Sequence, residues 1–120
     1  MKVTGIGGVF FKAKDPATLR EWYKEMLGID YESWGSIFFW KDQPKGSTSF
    51  SIFKEDSTYY ENNFMINFRV DALLPLMDKL KAAGVKIAGD VQEESYGKFA
   101  WIYDPEGNRL ELWEPNDDAL

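Results

Sequence analysis

Near its end the chain carries the stretch YDPEGNRLEL at residues 103–112. Pro105 and Gly107 are typical of a tight turn, and Asn108 tolerates the unusual dihedral angles that such turns require. Beyond the turn, alternation places Leu110 and Leu112 on one side of a strand and Glu111 on the other. The stretch therefore predicts two strands joined by a turn, with Glu111 held at a fixed position on the last strand.

The residues before this stretch predict more short elements of the same kind. Leu73, Leu76, Met77 and Leu80 recur at helical spacing, and Gly84 ends the pattern. This spacing predicts a helix over residues 72–83. Strands are predicted around that helix at residues 64–70, 85–88, 98–103 and 109–114.

The first half of the chain repeats the pattern. Asp15 and Pro16 predict the start of a helix, and Gly28 predicts its end. Strands are predicted at residues 5–12, 29–34, 36–41 and 48–53. Both halves therefore have the order β-α-β-β-β, and the spacing from Asp15 to Gly28 matches that from Asp71 to Gly84. We expect one domain over residues 1–120, with module one at about 1–56 and module two at about 62–116.

The composition excludes several kinds of chemistry. The 120 residues include no Cys and no His. Imidazole and thiolate are the ligands that bind Zn, Fe, Ni and Cu well, so any metal site must use oxygen ligands, which suit Mg, Ca or Mn. A His general base, a Ser–His or Cys–His nucleophile pair and a disulfide are excluded for the same reason.

Charge and hydropathy limit the partners. The net charge of −6 argues against nucleic acid, because phosphate binding requires a basic surface. No apolar run approaches the ~18 residues that a membrane span requires, and the N-terminus lacks the apolar core of a signal peptide. A cytoplasmic protein without a membrane partner is expected.

Two stretches resemble the vicinal oxygen chelate superfamily, which includes glyoxalase I, extradiol dioxygenases, fosfomycin-resistance enzymes and bleomycin-resistance proteins. They are WYKEMLG at residues 22–28 and YDPEGNRLEL at residues 103–112. The resemblance implies an α+β fold in which the two modules form an incomplete, curled eight-stranded barrel around a cleft. It also implies a homodimer, since related proteins often pair.

In metal-using relatives, the first and last strands of each module supply the metal ligands. The resemblance places these four positions at or beside Gly8, at or beside Ser51, at Phe64 or Met65, and at Glu111. Only Glu111 has a ligand-capable side chain, and a single carboxylate does not hold a divalent ion against water. We therefore expect no metal and no cofactor, and no metal-dependent glyoxalase, dioxygenase or thiol transferase activity.

Strand alternation, combined with the implied fold, predicts the residues that face the cleft. An aromatic wall with a few polar side chains is typical of a ligand site. The predicted ligand-binding residues are Phe10, Ser51, Met65, Asn67, Arg69, Phe99, Trp101, Tyr103, Arg109, Glu111 and Trp113.

Each of these residues also has a structural interpretation. Glu111 could instead form an internal ion pair with Arg69 or Arg109, and the aromatic residues could belong to the core or to a dimer interface. The patch of Trp34, Phe38, Phe39 and Trp40 is expected to pack against helix one or a partner chain. The acidic pairs at residues 93–94 and 117–118 are expected to be solvated.

Three functions are consistent with the sequence. The first is metal-free binding of a small planar or cationic molecule, as in the bleomycin-resistance branch of the superfamily. The second is a metal-independent lyase or isomerase that uses Glu111 as acid or base, assisted by Arg69, Arg109 or Tyr103. The third is a structural or regulatory dimer without a ligand.

Overall fold

The computed structural model describes residues 6, 8–32, 35–42 and 45–119. Its main elements are α1 (Pro16–Leu27), β1 (Ile66–Arg69), α2 (Leu73–Ala82), β2 (Gln92–Glu94), β3 (Gly97–Tyr103) and β4 (Arg109–Pro115). Short 3-10 turns lie at Trp40–Asp42 and Asp117–Ala119. No helix within these described ranges is long and apolar enough to cross a membrane.

Both predicted helices are confirmed, and α1 has the predicted ends. The Asp15 carboxylate accepts hydrogen bonds from the Thr18 hydroxyl at 2.7 Å and from the Thr18 backbone N–H at 3.2 Å. These bonds lower the pKa of Asp15. The helix ends at Gly28, whose φ of 68° lies in the left-handed region that glycine adopts without a steric penalty.

The start of α2 is capped by a distant residue. Its N-cap position is Ala72, which has no side-chain acceptor. The Oε1 atom of Glu114 on β4 accepts the Leu73 backbone N–H at 2.8 Å instead. The carboxylate therefore satisfies an N-terminal donor of α2 and joins the helix to the last strand.

The four strands form one open, mixed sheet in the order β1-β4-β3-β2. Strand β1 runs parallel to β4, whereas β3 is antiparallel to both β4 and β2. One face of the sheet, with Ala100, Ile102, Leu110 and Leu112, is buried against the two helices. Both the α+β class and the predicted alternation along β3 and β4 are confirmed.

The residues of the YDPEGNRLEL turn have different roles from those predicted. Gly107 has the positive φ of 82°, and Asn108 does not share it, because no non-glycine residue of the described ranges has a positive φ. Asn108 instead donates to Asp104, from its backbone N–H at 2.9 Å and from its side-chain amide at 2.7 Å. Asp104 also accepts from the Glu106 N–H at 2.9 Å and from the buried Tyr23 hydroxyl at 2.8 Å.

The same turn also binds the segment that leads into α1. The two carboxylate oxygens of Glu106 accept the backbone N–H groups of Lys14 at 2.7 Å and Asp15 at 3.0 Å. Asp104 reaches the middle of α1 through Tyr23, and the pKa of Tyr23 is raised by burial and by this hydrogen bond. The motif therefore fastens α1 to the end of the sheet.

Several predicted strands differ from the structure. Residues 8–12, 36–41 and 48–53 contain no strand, residues 29–32 contribute only a bridge between Glu32 and Gly35, and residues 85–88 contribute only the bridge of Ile87 to Ile102. Residues 5, 7, 33–34 and 43–44 of the predicted strands and turn lie outside the described ranges. The described sheet therefore has four strands, whereas eight were expected.

The physical reason is that a strand requires a neighbour for its backbone hydrogen bonds. The predicted strand over residues 48–53 has strand-forming residues, but Phe50 is 78% exposed and Ile52 89% exposed. Conversely, no strand was predicted at Gln92–Glu94, and this segment forms β2 because it pairs with β3 through a tight turn at Ser95 and Tyr96.

Candidate functional site

The face of the sheet opposite the helices carries most of the predicted ligand-binding residues. Directly paired positions bring Asn67, Glu111 and Trp101 together, and likewise Arg69, Trp113 and Phe99. Tyr103 and Arg109 form the next pair on this face. We call these eight residues the aromatic face: Asn67, Arg69, Phe99, Trp101, Tyr103, Arg109, Glu111 and Trp113.

At the centre of the aromatic face, Glu111 is 8% exposed and accepts hydrogen bonds at both carboxylate oxygens. Its Oε1 atom accepts from the Asn67 amide at 2.7 Å, and its Oε2 atom accepts from the Trp101 indole N–H at 2.8 Å and from the Tyr59 hydroxyl. Glu111 is thus satisfied by neutral donors, and the ion pair with Arg69 or Arg109 that the structural interpretation offered is wrong.

Tyr59 is a member of this site that was not predicted from the sequence. This residue lies in the connection between the two halves, where no periodicity fixes the direction of a side chain. Its ring meets Trp101 edge-on at 6.1 Å and stacks on Phe53 at 5.7 Å. Burial and the hydrogen bond to Glu111 raise the pKa of Tyr59 to about 12, so the phenol stays a neutral donor. The only signal for it was an aromatic pair, Tyr59 and Tyr60, in a polar connection.

At the far end of the aromatic face, Arg69 pairs with the C-terminal segment. Its Nη2 atom lies 2.7 Å from Asp117, and its guanidinium lies 5.5 Å from the centre of the Trp113 ring. Asp118 pairs with Lys45, which lowers the pKa of this carboxyl. The prediction that residues 117–118 are solvated is therefore wrong for Asp117, whose side chain is 23% exposed, and is confirmed for Asp118, whose side chain is 88% exposed. Glu93 and Glu94 are exposed as predicted.

Arg109 is the other cation of the aromatic face. Its guanidinium carbon lies 5.9 Å from the centre of the Tyr59 ring and 5.8 Å from that of Trp101. The Nη1 atom donates to the Tyr103 hydroxyl at a long 3.4 Å. A cavity of about 60 Å³ lies beside it, bordered by Tyr59, Tyr60 and Tyr103 among others.

The remaining predicted residues have varied positions. Phe99 stacks on Trp113 with ring centres 5.8 Å apart and planes 8° apart. Met65 is half-buried just before β1, and Ser51 is exposed. Phe10 is 94% exposed. The structure therefore brings together the predicted residues of module two and does not join those of module one to them.

The patch predicted to pack against helix one is exposed where it is described. Phe38, Phe39 and Trp40 are 68%, 51% and 73% exposed, and Trp34 lies outside the described ranges. The expected packing of the three described residues against α1 is therefore wrong. The alternative that they meet a partner chain stays a prediction.

A metal ion does not fit the surroundings of Glu111. Three N–H and O–H donors already point at its carboxylate oxygens, and these donors would repel an ion placed there. Within the described ranges, no three acidic side chains cluster closely enough to hold an ion. The positions beside Gly8, Ser51 and Met65 add no charged ligand.

Fold and site together define a small α+β protein with one apolar sheet face against two helices and one aromatic face around a hydrogen-bonded carboxylate. The chain belongs to the Glyoxalase/Bleomycin resistance protein/Dioxygenase superfamily, whose family model matches residues 5–112. It is a member without the metal-ligating side chains, as the resemblance indicated. None of the curated protein sequences matches this chain.

Solved structures share the fold at low sequence identity. TnmS3, an antibiotic binding protein from Streptomyces sp. CB03234, is 16% identical with a TM-score of 0.62, over 97% of this chain and 99% of its own. An integron cassette protein from the mobile metagenome of V. cholerae is 19% identical with a TM-score of 0.63, over 95% and 97%. A superfamily member from Sphaerobacter thermophilus DSM 20745 is 16% identical with a TM-score of 0.52, over 85% and 90%.

Proposed function

We propose that this protein binds a small planar molecule against the aromatic face, without a metal ion and without catalysing a reaction. The observation that carries the proposal is the state of Glu111, whose two carboxylate oxygens accept three hydrogen bonds from Asn67, Trp101 and Tyr59. Through these hydrogen bonds, the Glu111 carboxylate holds the side chains of Trp101 and Tyr59 in place. Half-buried rings such as Phe99 and Tyr103 then remain for stacking on a flat ligand.

Of the two ligand types that the sequence left open, planar and cationic, the geometry supports the planar one. Glu111 is 8% exposed and already accepts three hydrogen bonds from the protein, and Arg109 on the same face repels a cation. The description of TnmS3 as an antibiotic binding protein adds support for an organic ligand.

The acid–base alternative receives less support. A general base must lie within hydrogen-bond reach of a substrate proton, and Glu111 is 8% exposed with protein donors on both oxygens. The alternative of a dimer without a ligand has one observation in its favour, because Tyr59 covers Glu111 and Trp101. It gives no role to the cavity beside Arg109 and Tyr103.

A ligand panel tests the proposal. We expect planar polycyclic compounds to raise the melting temperature and quench tryptophan fluorescence, while aliphatic analogues of similar size do neither, because a ligand that binds only the folded state stabilises it by mass action. Tyr103→Leu should weaken the effect. Its control is Tyr31→Leu, which changes a tyrosine that contacts Glu21 on α1. No response to any planar compound would contradict the function.

We also propose that two chains pair through module one. Five of its large apolar side chains are more than two-thirds exposed: Phe10, Phe38, Trp40, Phe50 and Ile52. Monomeric proteins rarely leave so much apolar surface in water. In such a pair, the segments of module one, about residues 1–56, would gain the strand neighbours that they require. Module one would then form an eight-stranded domain together with module two, about residues 62–116.

Light scattering tests this pairing. We expect the mass of a dimer for the wild type and of a monomer for Phe50→Lys combined with Ile52→Lys, because two buried ammonium groups would oppose association. Leu74→Lys is the control, since Leu74 lies on α2 and is 46% exposed. A monomeric wild type at high concentration would contradict the pairing.

A further inference from the structure

The two arginines of the aromatic face differ in their partners. Arg69 has the carboxylate of Asp117 at 2.7 Å, although its buried Nη1 atom has no hydrogen-bond partner in the described ranges. Arg109 has no carboxylate within 4.0 Å in the described ranges, and its buried Nε atom has no hydrogen-bond partner there. Glu111 is two residues away on the same face, but its oxygens accept from other donors. Arg109 is therefore a half-buried cation with unused donors.

This arrangement is costly in the absence of a ligand. Burying a guanidinium N–H without an acceptor is unfavourable, and the faces of Tyr59 and Trp101 at almost 6 Å offset only part of the cost. The long contact to the Tyr103 hydroxyl adds little, because hydrogen bonds weaken with distance. The missing partner is an acceptor, and the one that matches the planar fork of arginine best is an oxyanion with two oxygens.

The space for that acceptor lies beside Arg109. The cavity there has about 60 Å³, which is enough room for more than one water molecule and therefore for the two oxygens of a carboxylate group. Besides Arg109, its border includes the hydroxyl-bearing residues Thr58, Tyr60 and Tyr103 and the amide of Asn62. The one acid on the border within the described ranges is Glu61, an exposed residue whose charge water screens.

We propose, on the basis of the small-molecule function above, that Arg109 binds an oxyanion of the planar ligand in this cavity. The ligand would be an aromatic acid, with its carboxylate or a comparable two-oxygen anion on the guanidinium and its ring against the aromatic face. This assigns the ligand a negative charge, whereas the sequence had left a cationic guest open.

A matched pair of probes tests the anion. We expect 2-naphthoate to bind the wild type about tenfold more tightly than 2-naphthamide in a tryptophan fluorescence titration, because a charge-assisted pair replaces a neutral one. This preference should shrink as salt is added. Equal affinities of acid and amide would overturn the inference and leave the proposed function intact. Failure of both probes and of every planar compound would overturn the proposed function as well.

Variants locate the anion. We expect Arg109→Gln to lose the preference for the acid, so that the acid and the amide bind about equally well, and Arg109→Lys to keep part of the preference, because it keeps the charge without the fork. The control is Arg20→Gln, which removes the same charge from α1, where Arg20 lies over the Tyr31 ring. A preference that survives in Arg109→Gln, or that Arg20→Gln also removes, would overturn the assignment to Arg109.

Discussion

Replacing Asp104 by Ala should lower the free energy of unfolding by about 3 to 5 kcal/mol, because buried hydrogen bonds to a charged group are each worth about 1.5–3 kcal/mol and their losses are not additive. The carboxylate is 4% exposed and accepts from Tyr23, Glu106 and Asn108. Its removal leaves the buried Tyr23 hydroxyl without an acceptor and frees the turn that holds α1. Urea unfolding monitored by tryptophan fluorescence measures the change.

Two variants separate this effect from a general effect of losing an acidic residue. Asp90→Ala removes an exposed carboxylate and should change the free energy by less than about 0.5 kcal/mol. Tyr23→Phe removes only one of the bonds to Asp104 and should cost about 1 kcal/mol. If Asp104→Ala costs no more than Asp90→Ala, the motif does not fasten α1 to the sheet.

Gly97→Ala should lower the free energy of unfolding by about 3 kcal/mol or more. The added methyl group would meet two neighbours, and neither of them can move easily. A Cβ atom at Gly97 would lie 2.4 Å from the Trp113 indole nitrogen and 2.5 Å from the Glu114 carbonyl oxygen, at a φ of 142°. Trp113 is buried and Glu114 belongs to β4. The methyl group would therefore push the β2–β3 turn away from the last strand.

The control for this substitution is Gly89→Ala. Gly89 also has a positive φ, 83°, but nothing lies within 4 Å of its added Cβ atom. In this variant the free energy of unfolding should fall by only about 1 kcal/mol, which is the cost of a left-handed backbone conformation for alanine. The difference between the two variants, measured by thermal unfolding, isolates the clash with Trp113. Equal losses would show that the close approach at Gly97 does not exist.

What could be predicted from the sequence was local or periodic. The caps of α1 at Asp15 and Gly28 depend on residue types at fixed spacing, and the alternation in residues 98–103 and 109–114 placed Trp101 and Glu111 on one face. Both follow from geometry within a few residues. For this reason the helices and the sheet face shared by Trp101 and Glu111 were predicted correctly, while the role of that face in ligand binding stays a prediction.

What could not be predicted depended on residues that are distant in the chain. Tyr59 reaches Glu111 across 52 positions, and Arg69 pairs with Asp117 across 48. No spacing rule indicates which acid an arginine will meet. The strands expected in module one had the right residue types, yet residues 48–53 have no strand neighbour. Strand propensity shows that a segment can fit into a sheet, but it does not show that a neighbouring strand is present to pair with.

The most direct test of the central claim is the metal content of tag-free protein after dialysis against Zn²⁺, Ni²⁺ and Mn²⁺. We expect only traces, because Glu111 is enclosed by three hydrogen-bond donors and no second charged ligand joins it in the described ranges. Retention of one ion per chain, together with its loss in Glu111→Gln, would contradict the claim that Glu111 only organises the aromatic face. This protein would then be a metal-binding member of its superfamily.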